Sequence, residues 1–183
     1  MNGPTTAQTN PEAYGELIEP ATLKLQRRLP GPVERIWAYL TESDLRRQWL
    51  ASGDMQMKAD APFELVWRNN ELTDPPGARP EGFGDEHRMK SRIVEADPPR
   101  KLVFTWGEQG GSVSFELEPR GSDVLLTVIH RRLPDDRAIS LKIRAGWHAH
   151  LDVLVARASG SEPEAFWDGW SRLRTEYDRR MPA

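Results

Sequence analysis

The longest segment with helical periodicity, Ala138 to Ala158, constrains the fold of this chain more than any other feature. Its apolar and aromatic residues recur at the i, i+3, i+4, i+7 and i+8 positions that form one stripe on a helix. They are Trp147, His150, Leu151, Leu154 and Val155. The opposite face carries His148, Asp152 and Arg157, which we expect to face solvent. Such a stripe needs an apolar partner, and the segments upstream can supply one.

Between Phe83 and Arg132 the chain alternates apolar and polar residues in three or four short segments separated by Gly and Pro turns. Period-two alternation is typical of strands with one buried face, and short turns between successive strands predict an antiparallel meander. A sheet and an amphipathic helix that pack together bury both apolar surfaces. The sequence therefore predicts an α+β fold in which a curved antiparallel sheet of about six or seven strands wraps round the long helix.

Local signals predict the other elements that precede the long helix. Residues 1–19 are polar and aperiodic, so we expect a flexible tail. The elements predicted after it are a strand from Thr22 to Leu29, a short helix from Val33, a second short helix from an N-cap at Ser43 to about Leu50, and a strand from Pro62 to Leu72. The prolines and glycines between Thr73 and Glu86 predict a long loop, which is either a lid over a binding site or a mobile surface loop.

A further helix is predicted after the long one, because Ser161 and Glu164 have the spacing of a capping box. Its aromatic residues Phe166, Trp167 and Trp170 form an apolar surface too large to stay exposed on a monomer. We expect this helix to fold back on its own domain, since the turn at residues 159–161 is short. A homodimer through the three aromatic residues is the alternative. The domain thus spans residues 20–160, with 161–183 as a helical extension of it.

Composition excludes several classes of function. At 183 residues and 38% hydrophobic, the chain is long enough for one domain and cramped for two. The formal net charge of -3 gives no reason to expect nucleic acid as a partner, and the absence of cysteine excludes disulfides and Cys-ligated metals. No apolar run approaches the roughly 20 residues of a membrane span, and the N-terminus lacks the features of a leader. We therefore expect no membrane insertion and a cytoplasmic location.

Sequence motifs for catalysis or cofactor binding are missing. The chain has no phosphate-binding glycine loop, dinucleotide fingerprint, Gly-x-Ser-x-Gly elbow or His-Glu-x-x-His, so we expect no cofactor. His148, His150 and Asp152 resemble the His-x-His-x-Asp run of dimetal hydrolases. Side chains two positions apart on a helix diverge by about 200°, so we expect no metal site at this point.

Histidines and aromatic residues on the predicted inner faces form the candidate site. His87 and His130 belong to the inward parity of their strands, and His150 lies in the helix stripe. We predict that they orient a small, largely apolar ligand in an internal cavity. The lining candidates are Trp49, Trp67, Phe83, His87, Trp106, Phe115, His130, Trp147, His150 and Leu154. Two alternatives remain open: these residues simply fill the core, or His87 or His130 is the acid or base of an enzyme.

Three ordered segments of the chain resemble a known family. They are RLPGPVERIW from Arg28 to Trp37 ahead of Trp49, DPPRKLVFTW from Asp97 to Trp106, and LTVIH from Leu126 to His130 followed by Gly146 and Trp147. Over roughly Thr22 to Ala158 the chain is similar to the START-like, or SRPBCC, helix-grip superfamily, and in particular to homologues of the activator of heat-shock protein 90 ATPase.

This resemblance implies a cavity between the long helix and the sheet, where relatives hold lipids, polyketides or other apolar molecules. A small hydrophobic molecule is therefore the expected partner. The same resemblance leaves two alternatives open. One is an enzyme of the polyketide cyclase or aromatase type that uses a pocket histidine. The other is a co-chaperone-like module with a chaperone partner and a role in stress response.

Overall fold

A computed structural model describes residues 13–182 of the chain. Its seven strands form one antiparallel sheet in the order β1-β2-β7-β6-β5-β4-β3. The strands are β1 Glu16–Glu19, β2 Thr22–Pro30, β3 Pro62–Trp67, β4 His87–Asp97, β5 Lys101–Thr105, β6 Ser112–Arg120 and β7 Asp123–Arg131. The helices are α1 Val33–Thr41, α2 Ser43–Arg46, α3 Arg137–Ser159 and α4 Phe166–Arg180, with a 3-10 turn at Asn69–Glu71. The α+β helix-grip prediction is confirmed.

The core lies between the inner face of the sheet and α3. In the centre of the sheet, Leu25 of β2 pairs with Val128 of β7, which in turn pairs with Phe115 of β6. All three side chains are almost fully buried, because alternate residues of each strand point to the same face. Leu151 and Leu154 of α3 belong to the same buried cluster. The predicted packing of the helix stripe on the sheet is therefore correct.

Helix α3 has well-defined ends. The Asp136 carboxylate caps its start by accepting a hydrogen bond from the Ile139 N–H at 2.9 Å. Gly160 ends it in the left-handed conformation, with φ at 71°, which glycine adopts without steric cost. The observed span is one residue longer at each end than the predicted one.

The outer face of α3 corrects the prediction that His148, Asp152 and Arg157 are solvated. His148 is only 4% exposed, and its Nδ1 lies 2.9 Å from the Tyr177 hydroxyl of α4. Asp152 and Arg157 are half-buried. The physical reason is that α4 folds back and covers this side of α3, which the periodicity of α3 alone cannot reveal.

Helix α4 packs on its own chain, but it does not begin with the predicted capping box. It starts at Phe166 after an Ala165 N-cap, and no side chain of the Ser161 to Glu164 segment caps it. Instead, the long loop satisfies its first amide groups: the Phe166 N–H donates to Thr73 Oγ1 at 2.9 Å, and the Trp167 N–H donates to the Pro76 carbonyl at 2.9 Å. A homodimer through this helix stays a prediction, and it would require this packing to open.

Three shorter predictions also need correction. Helix α2 ends at Arg46, and Ser43 accepts a hydrogen bond from the Gly53 N–H rather than capping the helix. Strand β3 ends at Trp67 and is followed by the 3-10 turn. Residues 16–19 of the predicted tail form β1 on the edge of the sheet, and residues 1–12 lie outside the described part of the chain. The loop from Thr73 to Glu86 contains no helix or strand, as predicted.

Candidate functional site

A cavity of about 450 Å³ lies between the β3–β4 end of the sheet, the long loop and the two C-terminal helices. Seven aromatic side chains contribute to its wall, and we refer to it as the aromatic cavity. They are Trp67, Phe83, Trp106, Trp147, Phe166, Trp167 and Trp170. Aromatic rings offer large apolar area with few rotatable bonds, so this wall suits an apolar ligand.

The aromatic rings hold one another in place by tilted and edge-to-face contacts. Trp106 lies 5.7 Å from Trp67 and 5.6 Å from Trp147, measured between ring centroids. Phe83 of the long loop lies 4.8 Å from Trp167 and 5.0 Å from Trp170. Such pairs add about 0.5–1.5 kcal/mol each beyond the area that they bury. The loop is therefore attached to α4 through Phe83 and forms a side of the cavity.

Two of the indole N–H groups are satisfied by polar atoms of the protein. Trp147 Nε1 donates to His130 Nδ1 at 3.0 Å, and Trp167 Nε1 donates to Asn70 Oδ1 at 2.7 Å. Because His130 Nδ1 accepts this bond, His130 is a neutral imidazole protonated at Nε2. Burial lowers the pKa of His130 to about 4, which agrees with the neutral form.

His150 is the buried histidine among the residues that line the aromatic cavity. Its Nδ1–H donates to the Trp49 carbonyl at 2.8 Å, since a carbonyl can only accept. Burial lowers the pKa of His150 to about 4, so the ring is neutral and Nε2 is an acceptor. His150 lines the cavity, and no hydrogen bond to Nε2 is found among residues 13–182. The cavity thus offers a histidine acceptor inside an aromatic wall, and Asn69, whose buried Oδ1 also has no hydrogen-bond partner among residues 13–182, belongs to the same wall.

Charged and polar groups lie at the mouth of the cavity. His87 is exposed, and its ring lies 5.5 Å from that of Trp67. Lys142 Nζ lies 5.6 Å from the Phe83 ring centroid, within the range of a cation–π contact. Glu86 forms salt bridges with Arg68 at 3.0 Å and with Arg88. The mouth is therefore polar, whereas the interior is apolar.

The protein family described as Activator of Hsp90 ATPase homolog 1-like protein matches residues 30–159. The chain belongs to this family. Among solved structures, the protein encoded by gene BPP1335 of Bordetella parapertussis is 34% identical, with a TM-score of 0.77 over 100% of this chain and 97% of that one. No curated protein matches the chain.

Two more distant structures share the fold. CalU16 of Micromonospora echinospora is 17% identical, with a TM-score of 0.62 over 86% of each chain. EF2215 of Enterococcus faecalis is 18% identical, with a TM-score of 0.62 over 90% of each chain. At these identities the likeness extends to the fold alone. The three α4 residues of the cavity wall lie beyond the segment that matches the family, and the Bordetella protein is similar over that part as well.

Within this family fold, six of the ten predicted lining residues contribute to the aromatic cavity: Trp67, Phe83, His87, Trp106, Trp147 and His150. Of the others, Trp49, Phe115 and Leu154 are fully buried in the core. Their inward parity was predicted correctly, but the Trp49 and Phe115 rings lie 6.2 Å apart and fill the space beneath the cavity. These three residues belong to the buried core, and their role as ligand contacts stays a prediction.

His130 lines a neighbouring cleft of about 920 Å³ rather than the aromatic cavity. The two spaces share four wall residues: Met89, Trp106, Ile139 and Ile143. The prediction that His87, His130 and His150 share one pocket is therefore wrong for His130. The reason is that the Trp106 and Trp147 rings lie against His130 on the cavity side, at 4.9 and 6.3 Å between centroids.

Phe166, Trp167 and Trp170 were not predicted as wall residues, although their aromatic area predicted that they must be covered. Gly146 of α3 was not predicted either; it lines the cavity and has no atom within 4 Å of the Cβ that another residue would carry. A glycine in the middle of a long helix is a signal that could have been noticed.

Among residues 13–182 no group of three or more potential ligands could hold a metal ion. None of the described helices has the length and apolar character needed to cross a bilayer.

Proposed function

We propose that this protein binds a small, largely apolar and uncharged ligand in the aromatic cavity. The observation that supports the proposal is the wall of seven aromatic side chains, drawn from the sheet, the loop, α3 and α4, around a space of about 450 Å³. Removing apolar surface from water contributes roughly 25 cal/mol per Å². A ligand enclosed by this wall therefore gains its affinity chiefly from the burial of its apolar surface.

The ligand is oriented by His150 in this proposal. Its Nε2 is an acceptor whose tautomer is fixed by the bond from Nδ1 to the Trp49 carbonyl. A ligand with one hydroxyl or N–H group can satisfy it, whereas a ligand with only acceptors leaves it unpaired in an apolar setting. The resemblance to START-like proteins, in which such a cavity holds apolar molecules, supports the same class of ligand.

The proposal is tested with N-phenyl-1-naphthylamine, an uncharged aromatic probe that carries one N–H donor. We expect saturable one-to-one fluorescence enhancement with the parent protein. Gly146→Leu places a side chain into the cavity and is expected to abolish binding, while Gly146→Ala, which adds a single methyl group with no neighbour within 4 Å, retains it. Circular dichroism and thermal unfolding check that both variants are folded. Equal affinity of all three proteins would contradict the proposal.

The enzyme and co-chaperone alternatives stay predictions. Of the two histidines predicted as an acid or base, His87 lies exposed at the mouth and His130 lies outside the aromatic cavity. Neither arrangement favours catalysis over binding.

A further inference from the structure

A second cleft, of about 520 Å³, lies between the segment that follows α2, strand β3 and the end of α3. Its polar wall is formed by Arg47, Gln48, Ser52, Arg68, Glu71 and Arg157, and we refer to it as the arginine cleft. Leu50 separates it from the aromatic cavity, since this buried side chain lines both spaces. The arginine cleft is thus a distinct site with a different chemical character.

The charges of the arginine cleft are unbalanced. Three arginines line it, whereas Glu71 is the one carboxylate of its wall. Arg68 is paired with Glu86 at 3.0 Å, on the side of the aromatic cavity. In the part of the chain that the structure describes, no carboxylate lies within 4 Å of the guanidinium of Arg47 or Arg157. Two positive charges at the cleft therefore lack an acidic partner.

Arg157 is held in position rather than free in solvent. It is half-buried in the last turn of α3, and its Nη2 donates to the Leu72 carbonyl at 2.7 Å. The dipole of α3 favours a cation at this end of the helix and is the ordinary explanation for one arginine. It does not explain why Arg47 and Arg68, from two other segments, face the same cleft.

The segment that carries Arg47, Gln48 and Ser52 is fixed by the buried Arg46. Arg46 is 0% exposed, and its guanidinium donates to the carbonyls of Thr41 at 3.0 Å and Ala51 at 3.1 Å. The Ser52 N–H donates to the Val66 carbonyl of β3 at 3.1 Å. This backbone is fixed before any ligand binds, so only the exposed side chains of Arg47 and Gln48 have to be ordered around an anion.

We propose that the arginine cleft binds an oxyanion, a phosphate or carboxylate group of a small molecule. A guanidinium presents two parallel N–H donors that match the oxygen spacing of either group, and the side-chain amide of Gln48 adds a neutral donor. This proposal is independent of the function proposed for the aromatic cavity.

The test uses the arginine Nε–Hε signals in NMR spectra of the full-length protein, titrated with inorganic phosphate at constant ionic strength. We expect the signals of Arg47, Arg68 and Arg157 to shift along one saturable curve. Arg47→Gln, at an exposed position with no salt bridge, is expected to weaken phosphate binding about tenfold. The matched control is Arg100→Gln, which removes the same charge from an exposed turn away from the cleft and is expected to leave the affinity unchanged.

Three further comparisons complete the test. Glu71→Gln removes the carboxylate of the wall and should strengthen phosphate binding, because like charges repel. A titration with acetate in place of phosphate distinguishes the two kinds of ligand that could carry the oxyanion. A higher affinity for phosphate than for acetate indicates a phosphate ester, and equal affinities indicate a carboxylate. Gly146→Leu should leave phosphate binding intact, which separates this site from the aromatic cavity. Shifts that do not saturate, or an equal loss in the Arg47 and Arg100 variants, would overturn the proposal.

Discussion

Removing the hydroxyl group of Tyr177 should destabilise the junction between α4, α3 and the N-terminal segment. The side chain is 2% exposed, and its hydroxyl accepts from the Gly15 N–H at 2.7 Å. With the His148 proton on Nε2, which lies 3.6 Å from Asp152 Oδ2, the hydroxyl donates to His148 Nδ1 at 2.9 Å. Burial raises the pKa of Tyr177 to about 12, so the hydroxyl is protonated and available as this donor. Tyr177→Phe keeps the ring and leaves both partners without a hydrogen bond.

The expected loss follows from these two partners. A buried polar group left unpaired costs about 1–3 kcal/mol, and His148 Nδ1 is the more buried of the two. Gly15 lies near the surface, where water can replace part of the lost bond. We therefore expect Tyr177→Phe to lower the free energy of unfolding by roughly 2–4 kcal/mol. For a chain of this size, that corresponds to a fall in Tm of about 4–16 °C.

Urea unfolding followed by circular dichroism measures this loss. Tyr39→Phe is the matched control, because Tyr39 is half-buried and its hydroxyl makes no hydrogen bond among the described residues. An equal effect of the two substitutions would refute the reasoning. A loss below about 0.5 kcal/mol for Tyr177→Phe would do the same, since it would mean that neither hydrogen bond contributes.

Three other perturbations have expected outcomes. Gly146→Ala should raise the free energy of unfolding by about 0.5–1 kcal/mol, because it restores helix propensity without a clash; a lower Tm would contradict this. The pKa of His150 is lowered on folding, so protonation of the unfolded chain destabilises the fold as pH falls from about 6.5 toward 4. Between pH 7.5 and 5 the free energy of unfolding of the parent should fall by about 2 kcal/mol more than that of His150→Gln. The exposed His87→Gln variant is the control, and equal losses in the parent and in His150→Gln would count against this prediction. Leu173→Ala, at a buried position of α4, should lower the free energy of unfolding by about 2–5 kcal/mol and leave the molecular mass measured by light scattering unchanged. Conversion of a dimer to a monomer by this substitution would favour the homodimer instead.

The parts of the fold that follow local periodicity could be predicted from the sequence. The apolar stripe of α3 and the alternation in β6 and β7 depend on which face of each element is buried, and not on which other element covers that face. His148 was wrongly predicted to face solvent, because the helix that covers it, α4, follows α3 in sequence and packs back against it. The burial of Arg46 could not be predicted, since nothing in the sequence shows that backbone carbonyls surround its guanidinium.

The candidate site depends more strongly on contacts that the sequence does not encode locally. Trp67 and Trp106 were predicted from strand parity, and they do line the aromatic cavity. Phe166 and Trp167 reach it only because the loop caps α4 through Thr73, which fixes where that helix begins. His130 has the predicted inward parity, yet it lies behind Trp106, because parity assigns a face of the sheet and not a position along it.

The tryptophan indole N–H signals test the central claim most directly. The chain has seven tryptophans, of which five line the aromatic cavity, while Trp37 and Trp49 do not. In ¹H–¹⁵N spectra titrated with N-phenyl-1-naphthylamine, we predict saturable shifts of the Trp67, Trp106, Trp147, Trp167 and Trp170 signals. The Trp37 and Trp49 signals should stay in place. Shifts confined to Trp37 or Trp49, or no shift at saturating probe, would contradict the claim that the aromatic cavity is the binding site.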